Sequence, residues 1–223
     1  MYKDIEPGNA SEYDVENLAV NPISPLIGKR VIFLGSSVTY GAAAGGTSFV
    51  EYLEAIDGII AVKEAVSGTT LATGKAESYV ERIKRIPENF RADAFICQLS
   101  TNDAGQDMAP LGHVVANEEE CNTATVAGAI QYIISFARKT WGCPVIFYTN
   151  SRFESEKYQK MVELLHKIAK QDKITVLDLY NDSEMLSVNS DDYALYMHDS
   201  VHPTKAGYLK WWTGKFEDCL RKV

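Results

Sequence analysis

From Lys29 onward, short apolar runs alternate with longer segments in which apolar residues recur every three or four positions. The runs are Arg30–Leu34, Ile59–Val66, Ala92–Leu99, Cys143–Thr149 and Ile174–Leu179. Most are rich in β-branched or aromatic residues, which predicts strands. The near-continuous apolar character of several predicts a parallel sheet covered on both faces. Between them, Ser48–Ile56 places Phe49, Tyr52, Leu53 and Ile56 on one helical face. Glu118–Thr140 carries a stripe of Ile130, Ile133, Ile134 and Ala137. Ser155–Lys170 aligns Tyr158, Met161, Val162, Leu165 and Ile168 opposite Lys and Glu. Lys75–Ile86 is a weaker helical pattern, and Thr204–Arg221 closes the chain as an aromatic-rich helix.

Strands alternating with helices require right-handed crossovers, which build a doubly wound three-layer α/β domain. Residues 29–223 read as one such domain, without a repeat or linker to divide it. Residues 1–28 lack periodicity and contain Pro7, Pro22 and Pro25, the pattern of an irregular arm lying over the domain. In such a sheet ligands gather outside the carboxyl ends of the strands, so the chemistry is to be sought in the loops that follow them.

Composition narrows the partners. With 46% apolar and 23% charged residues in 223, the chain can bury a core and is not disordered. A net charge of −8 disfavours nucleic acid and anionic membrane surfaces. The start of the chain lacks the basic and apolar stretches of a signal peptide, and no apolar run approaches a membrane span. The expected location is therefore cytoplasmic. Cys97, Cys121, Cys143 and Cys219 form no CxxC pair, which argues against a zinc ribbon or thioredoxin-like motif, and Cys97 and Cys143 read as buried thiols.

Four loops carry candidate chemistry. After the first run, Gly35-Ser36-Ser37-Val38-Thr39-Tyr40-Gly41 allows a sharp turn into a helix, where the Ser37 hydroxyl and N–H can face one substrate. After the second, Gly68 lets backbone come close to a ligand, although taken alone a plain tight turn is the better explanation. After the third, Asn102 offers a neutral NH₂ donor, with an Asx-turn as the simpler reading. Near the C-terminus comes His198-Asp199-Ser200-Val201-His202-Pro203. An Asp three residues before a His can fold back to bond Nδ1–H, leaving Nε2 free to take a proton from a serine. Pro203 keeps His202 out of a helix and can itself open the final helix at its first position.

In this order, GSSVTYG, SGTT, STND and DSVHP resemble the blocks of the SGNH hydrolase (GDSL-like esterase) family over about residues 30 to 210. The resemblance implies a three-layer α/β/α flavodoxin-like fold with a five-stranded parallel sheet, and a serine-dependent ester hydrolase that needs no metal or organic cofactor. It implies Ser37 as nucleophile, with Asp199 and His202 as its activating partners. It also implies an oxyanion hole from Ser37, Gly68 and Asn102. Ser36 stands where the family usually has Asp, and Ser100 or Thr101 where it usually has Gly. The substrates implied are small soluble esters, with O-acetylated carbohydrate preferred. Thioesters or lysophospholipids are the alternative on the same site.

Tyr40, Arg152, Phe153 and His198 are candidates to contact substrate. Asp178, ending the fifth run, is a second candidate to orient the histidine, although the short tether favours Asp199 and makes Asp178 a turn acceptor. His113 and His166 read as incidental. Three rival classes remain. A metal hydrolase would use His198 and His202 with Asp199 and Asp103, but the four-residue spacing needs a helix that Pro203 opposes. A nucleotide-binding module would use the glycine-rich stretch 41–47, which matches neither GxGxxG nor a P-loop. A non-catalytic binding domain would keep the scaffold alone.

Overall fold

The structure is a computed structural model that describes residues 6–74, 77–105 and 108–223. The strands are β1 (Arg30–Gly35), β2 (Ile60–Ala65), β3 (Ala94–Gln98), β4 (Val145–Tyr148) and β5 (Thr175–Leu177). They form one all-parallel sheet in the order β2-β1-β3-β4-β5. The helices are α1 (Ser37–Tyr40), α2 (Phe49–Asp57), α3 (Tyr79–Arg82), α4 (Val126–Trp141), α5 (Glu156–Asp172), α6 (Ser183–Leu186), α7 (Ser190–Tyr196), α8 (Lys205–Gly207) and α9 (Thr213–Leu220).

The two-residue period of the strands divides the core into two layers. On one face Ile32, Leu34, Phe95, Cys97 and Phe147 pack against α4 and α5 through residues such as Ile130, Ile133, Met161 and Leu165. On the other, Val31, Phe33, Ile96, Ile146 and Tyr148 pack against α2 and the last helical segment. The rings of Phe49 on α2 and Phe216 on α9 stack 3.7 Å apart. The result is the expected three-layer α/β/α sandwich. Among the described residues no helix is long and apolar enough to cross a membrane.

Several boundaries differ from the sequence reading, each for a local reason. The helix expected from Glu118 begins at Val126, because Thr125 accepts the Gly128 N–H as its N-cap; residues 118–120 form only a 3₁₀ turn. The pattern at Lys75–Ile86 yields only α3 and one 3₁₀ turn, and its residues 75–76 lie outside the described residues. The capping box of Ser78 and Glu81 opens α3 there. Pro203 does not open the last helix. It forms an isolated bridge with Met197, and Thr204 is the N-cap, accepting from Gly207 N–H. The closing helix is interrupted by a π turn at Tyr208–Trp212 between α8 and α9.

Residues 7–17 consist of three 3₁₀ turns laid on the domain, with Tyr13 buried and its carbonyl accepting the Tyr52 hydroxyl at 2.7 Å.

Candidate active site

All four loops singled out in the sequence lie at the carboxyl end of the sheet. β1 leads into Ser36 and then directly into α1, whose first residue is Ser37. Gly35 is dictated by space: a Cβ there would collide with the Thr39 side chain on the next turn. Gln98, at the end of β3, accepts the Ser36 N–H at 2.9 Å and the Thr39 hydroxyl at 2.9 Å. This fixes the turn that presents Ser37. Gly41 at φ +86 ends α1 in the left-handed region.

The Ser37 Oγ lies 2.8 Å from His202 Nε2. The opposite ring nitrogen, Nδ1, lies 2.8 Å from Asp199 Oδ2 and 3.0 Å from Oδ1. Asp199 Oδ1 also accepts the backbone N–H groups of Val201 and His202, each at 2.7 Å. The tetrapeptide is thus a tight turn closed by its own acid. Burial acts to raise the Asp199 carboxyl. Bonds from the His202 ring and the two N–H groups outweigh it and hold the carboxyl below the usual carboxylate range. Ser37 is 7% exposed, whereas the His202 side chain is 27% and that of Asp199 48% exposed, so the serine sits at the floor of a shallow, open site.

The second and third loops meet the first. Gly68 has φ +80, and the space where its Cβ would point is open. Asn102 Nδ2 donates to the Thr69 carbonyl at 2.8 Å, which leaves the second proton of the same amide for another acceptor. Ser100, which with Thr101 stands where the family usually has a glycine, is buried and accepts the Asn102 N–H at 3.2 Å. The neighbouring Asp103 is wholly buried and accepts the Leu71 and Ala72 N–H groups at 2.7 and 3.2 Å, tying the two loops together. Its carboxyl is pushed up by burial, against the pull of those N–H groups.

The remaining candidates fall elsewhere. Tyr40 packs toward the β2 edge, its ring 5.6 Å from Lys63 Nζ and its hydroxyl beside Gly46. His198 Nδ1 lies 3.0 Å from Glu6. Arg152 stacks on Tyr180 at 4.7 Å and donates to Asn181 Oδ1 at 2.7 Å. Phe153 packs on Tyr158 with centroids 4.7 Å apart. Arg152 and Phe153 both line a groove of about 550 Å³ beyond β4 and β5. Asp178 accepts from Thr149 Oγ1 and Asn181 N–H, as a turn acceptor would. His166, read as incidental, pairs with that acid at 2.7 Å.

The rival arrangements lose their partners. His198 turns to Glu6 while His202 turns to Ser37, and Asp103 is spent on backbone N–H groups. Among the described residues no group of three or more His, Cys, Asp or Glu is arranged to hold a metal. The glycine-rich stretch closes on itself, with the Ala43 and Gly46 carbonyls taken by Asn9 and Lys63.

Sequence reasoning missed Gln98, Arg82, Asn9 and Asn150. Gln98 left a signal, as a buried polar side chain inside the apolar run Ala92–Leu99. Asn150 donates to the Val201 carbonyl at 3.2 Å from the end of β4.

The family model described as GDSL-like Lipase/Acylhydrolase matches residues 33–210. A comparison with curated proteins gives no significant match. Solved structures share the fold. A protein from Lactobacillus plantarum superimposes with TM-score 0.73 at 22% identity, over 88% of this chain and 98% of that one. An acetyl xylan esterase superimposes with TM-score 0.61 at 13% identity, over 85% and 98%. The inhibitor-bound aryl esterase of M. smegmatis superimposes with TM-score 0.59 at 13% identity, over 87% and 99%.

Proposed function

The chain belongs to the GDSL-like lipase/acylhydrolase family and is an ester-bond hydrolase, and from that premise we propose that it works by serine-dependent acyl transfer to water. The observation that carries this reading is the 2.8 Å approach of Ser37 Oγ to His202 Nε2, with Asp199 on the far ring nitrogen. His202 takes the hydroxyl proton as Ser37 attacks the ester carbonyl, and Asp199 stabilises the imidazolium that forms. The Ser37 N–H, the Gly68 N–H and the free proton of the Asn102 amide receive the developing oxyanion. His202 then protonates the leaving alcohol, and water attacks the acyl-enzyme by the same route.

The substrate we propose is a small soluble ester, O-acetylated carbohydrate foremost. The partial exposure of the His202 and Asp199 side chains, 27% and 48%, supports access by a soluble substrate. The fold shared with an acetyl xylan esterase is consistent with it.

The test is a panel of esters and thioesters with acyl chains from acetyl upward, acetylated sugars included. Acetyl esters should turn over fastest, and Ser37→Ala should show no turnover while melting at the wild-type temperature. Full activity in Ser37→Ala would end the reading. Preference for long-chain acyl groups or thioesters would move the substrate while keeping the mechanism.

A further inference from the structure

The segment 198–205 carries both the acid and the base, and its flanks are gripped by two side chains of the N-terminal arm. Asn9 Nδ2 donates to the Ala43 carbonyl at 2.8 Å and to Glu6 Oε2 at 2.9 Å, while its Oδ1 accepts the Lys205 N–H at 3.0 Å. Glu6 in turn lies 3.0 Å from His198 Nδ1. One primary amide, with both protons and its oxygen engaged, therefore spans two loops. The first is the 3₁₀ turn (Ala42–Ala44) just after the nucleophile's helix, and the second is the entry to α8. Its neighbour Glu6 holds the other side of the histidine turn.

The arm backbone is seated directly on the same segment. A Cβ on Gly8 would overlap the Leu195 carbonyl and the Thr204 side chain. Asp14 forms an ion pair with Lys205, whose side chain is 22% exposed. Further along, the Tyr13 carbonyl is fixed to α2 by the Tyr52 hydroxyl.

We propose that Glu6 and Asn9 are positioning residues, which set the distance between the Ser37 hydroxyl and the His202 imidazole from outside the catalytic loops. The proposal rests on the reading of those two groups as nucleophile and base. The bonds within the Asp199–His202 turn orient the ring inside its own turn, but they do not set where that turn stands relative to Ser37. That placement is shared by the Asn150 amide on the Val201 carbonyl, at 3.2 Å, the Tyr208 hydroxyl on the Val38 carbonyl, at 2.6 Å, and Asn9. A partly exposed imidazole that loses the Asn9 tie drifts from a hydrogen bond whose tolerance is a few tenths of an ångström. Misplacement of a reacting group by about 1 Å costs on the order of 100-fold in rate.

The experiment uses the full chain with Asn9→Ala and Asn9→Asp. The second keeps an acceptor for Lys205 N–H but removes both donors. Asn17→Ala, which deletes a bond to the Ser11 carbonyl inside the arm, is the control. Three quantities are read: kcat and KM on p-nitrophenyl acetate, the rate at which a fluorophosphonate labels Ser37, and hydrogen exchange of the Val201 and His202 amides. Both Asn9 variants should lose about ten-fold or more in kcat and labelling rate with KM little changed, and should exchange those two amides faster. Asn17→Ala should match wild type in all three.

Wild-type labelling and wild-type exchange in the Asn9 variants, whatever their melting temperature, would overturn the brace. A wild-type chain that neither hydrolyses esters nor takes the label would instead sink the esterase reading. Hydrogen exchange would then still decide whether the arm orders the turn.

Discussion

Arg82 and Gly35 are joined by a 2.7 Å hydrogen bond from a wholly buried guanidinium to the carbonyl that precedes the Ser36–Ser37 turn. The same Nη2 donates to Thr69 Oγ1 at 2.9 Å, Nη1 to the Glu64 carbonyl and carboxylate at 3.1 Å each, and Nε to the Glu77 carbonyl at 2.9 Å. All five donors of the fork are engaged, so the nucleophile turn and the Gly68 turn are held in one frame. Arg82→Met strands these acceptors and the Glu64 carboxylate. It should destabilise the fold by about 3–5 kcal/mol, read from urea unfolding midpoints. Arg82→Lys should recover only part of this, because an ammonium has three donors and no fork.

Asn102 donates to the Thr69 carbonyl and is the proposed oxyanion donor, and its removal should show both. Without the amide, kcat should fall by roughly two to three orders of magnitude, the loss of one oxyanion donor. Stability should also fall, by about 1 kcal/mol, because the Thr69 carbonyl loses its partner. Steady-state kinetics and thermal unfolding of Asn102→Ala separate the two effects.

Asp199 and Asp178 each contact a histidine, and the kinetics should distinguish them. Asp199→Asn removes the acceptor that fixes the His202 tautomer and should lower kcat by about 10⁴-fold. Asp178→Asn touches only the His166 pair and the turn at Thr149 and Asn181, and kcat should stay within about two-fold of wild type. Equal losses in the two variants would reassign the orienting acid.

Acid should weaken the fold partly through Asp199. Its carboxyl ionises below its unfolded-state value of about 3.9. Its contribution is therefore complete above that value and is lost as pH falls through the lower, folded value. Wild type should exceed Asp199→Asn in stability at pH 7, and the gap should narrow as pH falls below about 3.9. The side chain is half exposed, which keeps the gap small. Urea titrations of both proteins across this range provide the measurement.

The sheet was legible because each buried parallel strand writes itself as an apolar run, and its loops could then be ranked by what they end on. Ends were less legible. Ile59–Val66 extended past β2 on both sides because this edge strand is only half covered, so burial does not mark where pairing stops. Two helices left no stripe at all: α6 and α7 are short and rely on Asp182 and Asn189 as N-caps rather than on an apolar face.

The Asp199–His202 pairing was legible because a three-residue spacing before a proline lets the acid fold back on the ring, while Ser37 stood out only through the ordered resemblance of the four loops. Arg82 and Asn9 were not, because both act on backbone carbonyls of distant turns. A carbonyl has no letter in the sequence, and only the folded chain reveals which ones an arginine or an asparagine will find.

Ser37 and His202 stand 165 positions apart. The proposed base and acid are thus delivered by a stretch that leaves the ribosome after all five strands have been made. On the proposed mechanism, a growing polypeptide holds its hydroxyl, its glycine turn and its asparagine for most of synthesis before the base that would activate them. Ester cleavage is consequently a report on the docking of the final helices, and a burst of product during refolding would time that event directly.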